Sequence, residues 1–179
     1  MLLPAERFSF SAPLERAFPI FLRELCALPR ERFVPWSDRA AYGGTWLTFP
    51  LQLPDRPSDY FADCARNEAL CPESIRALRA IRGFLGGGFS WMEPACHIYK
   101  HTDKPNDGVL RAHLGLRVPE GSLIRVGTTM ATWQEGKCLL FDGQLEHETA
   151  NLGASPRVVL LADFALDDAE RAMLRSSSC

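Results

Sequence analysis

Leu110-Arg111-Ala112-His113-Leu114-Gly115-Leu116 alternates apolar and polar positions through a single short segment. Successive side chains of a strand point to opposite faces, so Leu110, Ala112, Leu114 and Leu116 make one face while Arg111 and His113 share the other. The first face is wholly apolar and needs a covering layer. The second presents cationic or hydrogen-bonding groups to an interior, and a polar interior face in a small barrel indicates a ligand cavity.

Around this segment, from Phe89 onward, short strand-like runs are separated by Val118-Pro119-Glu120-Gly121, Val126-Gly127-Thr128, Gln134-Glu135-Gly136 and Asp142-Gly143. A turn signal roughly every eight to ten residues indicates a small all-β sandwich or barrel. Upstream the signals are helical or irregular, and Gly86-Gly87-Gly88 marks the change. Ser11 is placed to cap a helix carrying Leu14, Phe18, Phe21, Leu22 and Leu25, which Pro19 should kink or restart. Pro72-Glu73-Ser74 opens a second helix with Ile75, Leu78, Ile81 and Leu85 as its stripe, and Gly83 is a stop signal that puts Leu85 in question. Arg76, Arg79 and Arg82 line another side of it and read as a solvated face. The expected organisation is one domain, 1–179, with 1–85 covering the barrel, 86–165 forming its core and 166–179 a tail.

Twenty Lys and Arg against 22 Asp and Glu give a formal charge of −2, which offers no electrostatic case for nucleic acid or an anionic membrane surface. No apolar run approaches the roughly 20 residues that span a bilayer, and Met1–Arg7 lacks the features of a signal peptide, so a cytoplasmic protein is expected. Cys26, Cys64, Cys71, Cys96, Cys138 and Cys179 form no C-x-x-C cluster and read as reduced thiols, with Cys138 a packing residue.

The chemistry concentrates in His101-Thr102-Asp103, Glu146-His147-Glu148 and Arg157. In an extended segment His101 and Asp103 project to one side and can bind one metal. Alone, H-x-D occurs often by chance. With a distal His147 it completes a two-histidine, one-carboxylate set, which occupies one face of an octahedral iron(II) and leaves other positions open. Arg157, ten residues beyond His147, supplies a planar fork suited to a carboxylate of an acidic co-substrate. His97 is expected to have a structural role or to support the ligands.

These residues fall within a longer series: Phe89–Pro94, His97–Thr102, Leu110–Leu116, Thr132–Lys137, Phe141–Glu148 and Pro156–Val159. Over about residues 70 to 164 the series resembles the aspartyl/asparaginyl β-hydroxylases. The resemblance implies a mainly β double-stranded β-helix, a cupin-like jelly roll, with the N-terminal helices packed on one face. It implies iron(II), 2-oxoglutarate as co-substrate and molecular oxygen, with one oxygen atom entering an unactivated C–H bond. By position it makes His101 and His147 metal ligands, and Ser90, Arg111, His113 and Arg157 co-substrate contacts. Ser90 rests on the resemblance alone. Familiar members of the family have glycine where this chain has Asp103, so the carboxylate restores the full triad, although the segment from His101 to Arg111 is one residue longer than the family pattern. Trp36, Arg39 and Trp46 are expected at the substrate pocket or in the core. The expected substrate is a small-molecule, peptide or carrier-bound amino acid unit, hydroxylated at the β-carbon of an aspartyl or asparaginyl group. Two other classes stay open: a non-oxidising metal-binding sensor, which leaves Arg157 unexplained, and a 2-oxoglutarate-independent cupin-type metalloenzyme, which ordinarily uses more histidines.

Overall fold

The structure, a computed structural model, describes residues 1–53, 64–103 and 108–177. Part of the lengthened segment between His101 and Arg111, residues 104–107, and Cys179 lie outside the described residues. In chain order, β1 (Leu2–Leu3) precedes α1 (Ser11–Arg16) and α2 (Phe18–Ala27), followed by β2 (Val34–Pro35), β3 (Tyr42–Gly43) and β4 (Trp46–Gln52). Helices α3 (Cys64–Leu70) and α4 (Pro72–Arg79) then lead into the strand-rich part: β5 (Phe84–Met92), β6 (Cys96–His101), β7 (Val109–Arg117), β8 (Ser122–Val126) and β9 (Thr129–Ala131). The chain closes with β10 (Cys138–Phe141), β11 (His147–Asn151), β12 (Arg157–Ala165) and α5 (Asp168–Ser177).

The strands form a seven-stranded sheet, β1-β10-β7-β12-β5-β4-β2, and a five-stranded sheet, β3-β6-β11-β8-β9. Between them pack Ile124, Val126, Trp133, Phe141 and Val159 in one cluster and Tyr42, Trp46, Met92, Cys96 and Ile98 in another. This is the double-stranded β-helix. On the other face of the larger sheet, Leu110, Ala112, Leu114 and Leu116 join Val158, Leu160, Ala162 and Phe164 against Leu14, Phe21, Leu25, Ile75 and Leu78 of the helices. The apolar row of β7 thus receives the helical cover that its alternation requires.

Pro19 restarts the N-terminal helix: α1 ends at Arg16 and α2 carries the proline in its first turn, where no amide is needed. Ser11 is not the cap, because Phe10 occupies that position and the Ser11 hydroxyl is buried without a partner. Arg79 and Arg82 reach Glu68 and Asp167 at 2.6 and 2.9 Å, so the arginine face is an ion-paired surface.

Three features of the expected organisation change. The switch from helix to strand falls at Gly83, whose φ of +80° and close approach to the Ala165 carbonyl suit glycine, and Leu85 belongs to β5. The glycine triplet lies inside β5, where a Cβ on Gly88 would stand 2.5 Å from the Phe49 carbonyl oxygen. The region before 86 also contributes β4, a full strand of the larger sheet. Its Pro50 obscures the pattern, but two-residue β2 pairs only with Leu47 and Thr48, so the missing amide falls where no neighbour asks for it. Finally, part of the tail is helix α5, started by a reciprocal cap: Asp167 Oδ1 accepts from the Glu170 amide at 2.8 Å and Glu170 Oε2 from the Asp167 amide at 3.0 Å. Cys26, Cys71, Cys96 and Cys138 are free thiols.

Because Phe21 is fully buried between α2 and the larger sheet, Phe21→Ala should lower unfolding free energy by about 3–5 kcal/mol, read as a reduced urea midpoint.

Candidate functional site

β6 ends on His101 and β11 begins on His147, and the antiparallel register sets the two residues directly opposite each other. Their rings lie 4.3 Å apart between centroids. Asp103 follows two residues later, and one donor atom from each of the three side chains lies within 4.8 Å of the others. His101 Nδ1 is 2.7 Å from the Tyr99 carbonyl oxygen and His147 Nδ1 is 2.9 Å from that of Leu145. Each carbonyl takes the Nδ1 proton, which leaves the Nε2 lone pair free to bind a metal. Burial holds the His147 pKa below the ordinary histidine value, favouring the neutral, ligating form. The Asp103 amide donates to the Gly143 carbonyl at 2.8 Å, and Gln144 Nε2 donates to the Asp103 carbonyl at 3.2 Å, so the segment is tied to the β10–β11 connection.

Deeper between the sheets sits a second constellation. Arg157 is 2% exposed, with Nη2 2.9 Å from Met92 Sδ and its guanidinium carbon 4.2 Å above the Trp133 ring. Its Nε has no partner, and burial pushes its pKa down to about 9, which still leaves it charged at neutral pH. A cation desolvated on an aromatic face without an anion marks a place for one. His113 lies parallel to Trp133 with its Nδ1 buried and unpartnered. Burial, then the neighbouring Arg157 and Arg111, keep its pKa well below the usual range, so the ring is neutral. Ser90, 1% exposed, accepts from Trp46 Nε1 at 2.9 Å, which leaves its own hydroxyl proton to donate elsewhere.

The structure therefore brings His101, Asp103 and His147 together, and places Ser90, His113 and Arg157 on the inner face of the larger sheet. Arg111 shares that face but is already engaged: its Nε and Nη2 donate to the two oxygens of Asp163 at 2.7 and 2.9 Å. His97 takes a supporting position, its Nε2 2.8 Å from Glu148, whose other oxygen accepts from Arg125 Nε at 2.6 Å. Sequence reasoning missed Met92, Trp133 and Asp163. The signal for Asp163 was available: it lies six residues beyond Arg157 in one strand, and even separation means the same face.

A cavity of about 690 Å³ opens beside the metal cluster, with Trp36, Trp46, Pro50, Leu53, Ile98 and Leu161 on its walls and His101, Asp103, Arg111 and Asp163 at its polar end. Trp36 stacks on Trp46 at 4.7 Å, and Tyr42 meets Trp46 edge-on. Arg39 lies over Tyr42 and donates to its hydroxyl, bracing this wall from outside. Trp36 and Trp46 thus serve both core and cavity.

Fold and site together define a double-stranded β-helix with a two-histidine, one-carboxylate cluster where its two sheets open. Similar solved structures include a prolyl-4-hydroxylase from Pseudomonas putida, at 17% identity and a TM-score of 0.52 over 87% of this chain and 88% of that one. Another is the non-heme alpha-ketoglutarate-dependent epimerase SnoN of nogalamycin biosynthesis, at 17% identity and a TM-score of 0.50 over 87% and 73%. At that identity they support the fold. The sequence model for the aspartyl/asparaginyl beta-hydroxylase family matches residues 15–166, and the chain belongs to that family of hydroxylases. Among curated relatives, an ornithine lipid ester-linked acyl 2-hydroxylase from Rhizobium tropici is 44% identical over 168 residues, 88% of this chain and 57% of the relative. Human aspartate beta-hydroxylase domain-containing protein 2 is 31% identical over 84% of this chain and 43% of its own length. The chain thus spans about half the length of these relatives. No helix among the described residues is long and apolar enough to cross a membrane.

A Cβ on Gly143 would stand 2.5 Å from Asp103 Oδ2, a flexible end that can move away. Gly143→Ala should therefore retain the fold while weakening iron(II) affinity about tenfold or more, the usual scale for losing support of a ligand; metal titration of the folded variant checks it.

Proposed function

We propose that this chain is an iron(II)- and 2-oxoglutarate-dependent dioxygenase that hydroxylates an unactivated C–H bond. The observation that carries the reading is Arg157: a buried guanidinium with an unpartnered Nε, on the same sheet face as Ser90 and His113. A structural arginine would have a carboxylate beside it, as Arg111 has. The residues fit the implied groups. His101, Asp103 and His147 would hold iron(II), and Arg157, with Ser90 and His113, would hold the distal carboxylate of 2-oxoglutarate. Bound together with oxygen, these groups supply the oxidation of the C–H bond, coupled to formation of succinate and carbon dioxide.

The remaining tasks belong to the protein. Arg157 orients the co-substrate through charge-assisted hydrogen bonds in a site where burial has removed competing water. Trp133 and Met92 hold the guanidinium in place from below. The neutral His113 can give a hydrogen bond without adding charge. Trp46 spans both compartments, its indole N–H fixing Ser90 while its ring walls the cavity.

For the substrate, the largely apolar cavity favours a molecule carrying a hydrocarbon chain, in line with the relative named an ester-linked acyl 2-hydroxylase. An aspartyl or asparaginyl unit, hydroxylated at its β-carbon, is the second reading, favoured by the family and by Lys100 on the cavity lining.

Anaerobic titration of metal-free protein with iron(II) and then 2-oxoglutarate should give a visible charge-transfer band only when both are present, and His147→Ala should lose it. Succinate release on adding acyl-bearing or aspartyl substrates then separates the two readings. Iron binding without the band under saturating 2-oxoglutarate would overturn the proposal. Arg157→Met, which keeps volume and removes an unpaired buried charge, should leave the ligand-free protein at least as stable by urea unfolding. The same variant should bind 2-oxoglutarate about 100-fold more weakly, with iron affinity unchanged.

A further inference from the structure

Arg111 and Arg157 lie on one face of the larger sheet and differ in burial and in partner. Among the described residues no carboxylate pairs with Arg157, whereas Arg111 is held side-on by Asp163 through two hydrogen bonds of 2.7 and 2.9 Å. The pair is built into the sheet: Arg111 and Asp163 are direct register partners across β7 and β12. Both line the cavity at the end that also holds His101 and Asp103. The Asp163 side chain is 18% exposed against 45% for Arg111, so the carboxylate lies beneath and the guanidinium is presented to the cavity. Nε and Nη2 are spent on Asp163, and Nη1 remains as a donor. Among the other charged residues on the lining, Lys100 is exposed, Asp103 belongs to the cluster with His101 and His147, and Asp38 accepts from the Ala40 amide at 3.1 Å. Arg111 therefore offers the cavity a hydrogen-bond donor whose charge Asp163 compensates.

We propose that Asp163 is a specificity-determining residue: by cancelling the charge of Arg111 at the cavity wall, it makes the site select a substrate whose polar group beside the reacting carbon is an uncharged acceptor, such as an ester or amide carbonyl, over one bearing a free carboxylate. This rests on the reading of the cavity as the substrate site of an iron(II)- and 2-oxoglutarate-dependent hydroxylase. A carboxylate entering here meets the dipole of a satisfied ion pair and must leave its hydration behind. A carbonyl loses little and gains the Nη1 hydrogen bond. With asparagine at 163 the guanidinium regains its full charge, and the order reverses.

The test compares methyl octanoate with octanoate, which share a chain and differ in one charge. Both are titrated anaerobically into protein loaded with iron(II) and 2-oxoglutarate, with occupancy read from the fluorescence of the cavity tryptophans Trp36 and Trp46. The wild-type chain should bind the ester more tightly. Asp163→Asn should bind octanoate about fivefold more tightly than wild type does, on the order of one partly screened charge pair, with the ester changed by less than twofold. Asp163→Glu, which keeps the charge, should keep the wild-type preference. A merely structural Asp163 would weaken both probes together and leave their ratio unchanged. That result, tighter wild-type binding of octanoate, or no binding of either probe would overturn the proposal, as would a variant that loses 2-oxoglutarate affinity with the probe ratio intact. Should Asp163→Asn fail to fold, the wild-type ratio and the Arg111→Gln/Asp163→Asn pair decide; the pair, with both charges removed, must still prefer the ester. The hydroxylase reading fails separately, through absence of the charge-transfer band before any probe is added.

Discussion

β12 lies between β5 and β7, and its alternation decides which residues face the helices and which face the other sheet. Val158, Leu160, Ala162 and Phe164 enter the helix-covered core, while Arg157, Leu161 and Asp163 go to the site side. A slip of one residue would drive a guanidinium and a carboxylate into the core and turn four apolar side chains inward. The register is therefore fixed by hydrophobic burial on one face, and the site inherits its geometry from the other. The same logic runs through β7, where the apolar row anchors the strand and so positions Arg111 and His113.

The candidate metal site depends on a separate constraint in the smaller sheet. His101 and His147 are brought opposite each other by the β6–β11 pairing, and backbone carbonyls two residues before each ring hold their tautomers. The pairing is irregular between His147 and Thr149, so the ladder shifts immediately beyond the ligand pair. Glu146 and Glu148 flank His147 but are drawn to Arg125, which takes Glu148 at 2.6 Å and Glu146 at 3.0 Å. Asp103 stays with the cluster because its backbone is tied to Gly143. Adjacency to His147 in sequence thus does not put a carboxylate in the cluster; the tie to Gly143 keeps Asp103 there while Arg125 draws Glu146 and Glu148 away.

Much of this was legible in the chain, for a reason that also explains what was not. The helix-facing row of β7, the restart at Pro19 and the co-location of His101, Asp103 and His147 follow from local periodicity and side-chain chemistry. β4 was illegible because Pro50 breaks its signature, and only the short reach of β2 makes that proline harmless. The capping box of α5 was written as Asp167 and Glu170 but lacked a long apolar run to call attention to it. Ser90 could not be found by composition, since a serine on a strand is ordinary until a buried indole donates to it. The fate of Arg111 was equally hidden: its face could be read, but its engagement by Asp163 depends on which residue the neighbouring strand sets opposite.

That last point separates the two arginines of the site. A buried guanidinium with an unpartnered Nε, such as Arg157, carries a desolvation cost that an anion could offset. A guanidinium already matched by a carboxylate has spent that capacity and keeps only its geometry. One sheet face thus holds two electrostatic states a few residues apart: a buried guanidinium with an unpartnered Nε at Arg157, and one matched by a carboxylate at Arg111. The division requires the carboxylate to reach only one of them. Asp163 stands opposite Arg111 in the ladder, whereas the residue opposite Arg157 on β5 is Met92, whose sulfur packs against the guanidinium without neutralising it.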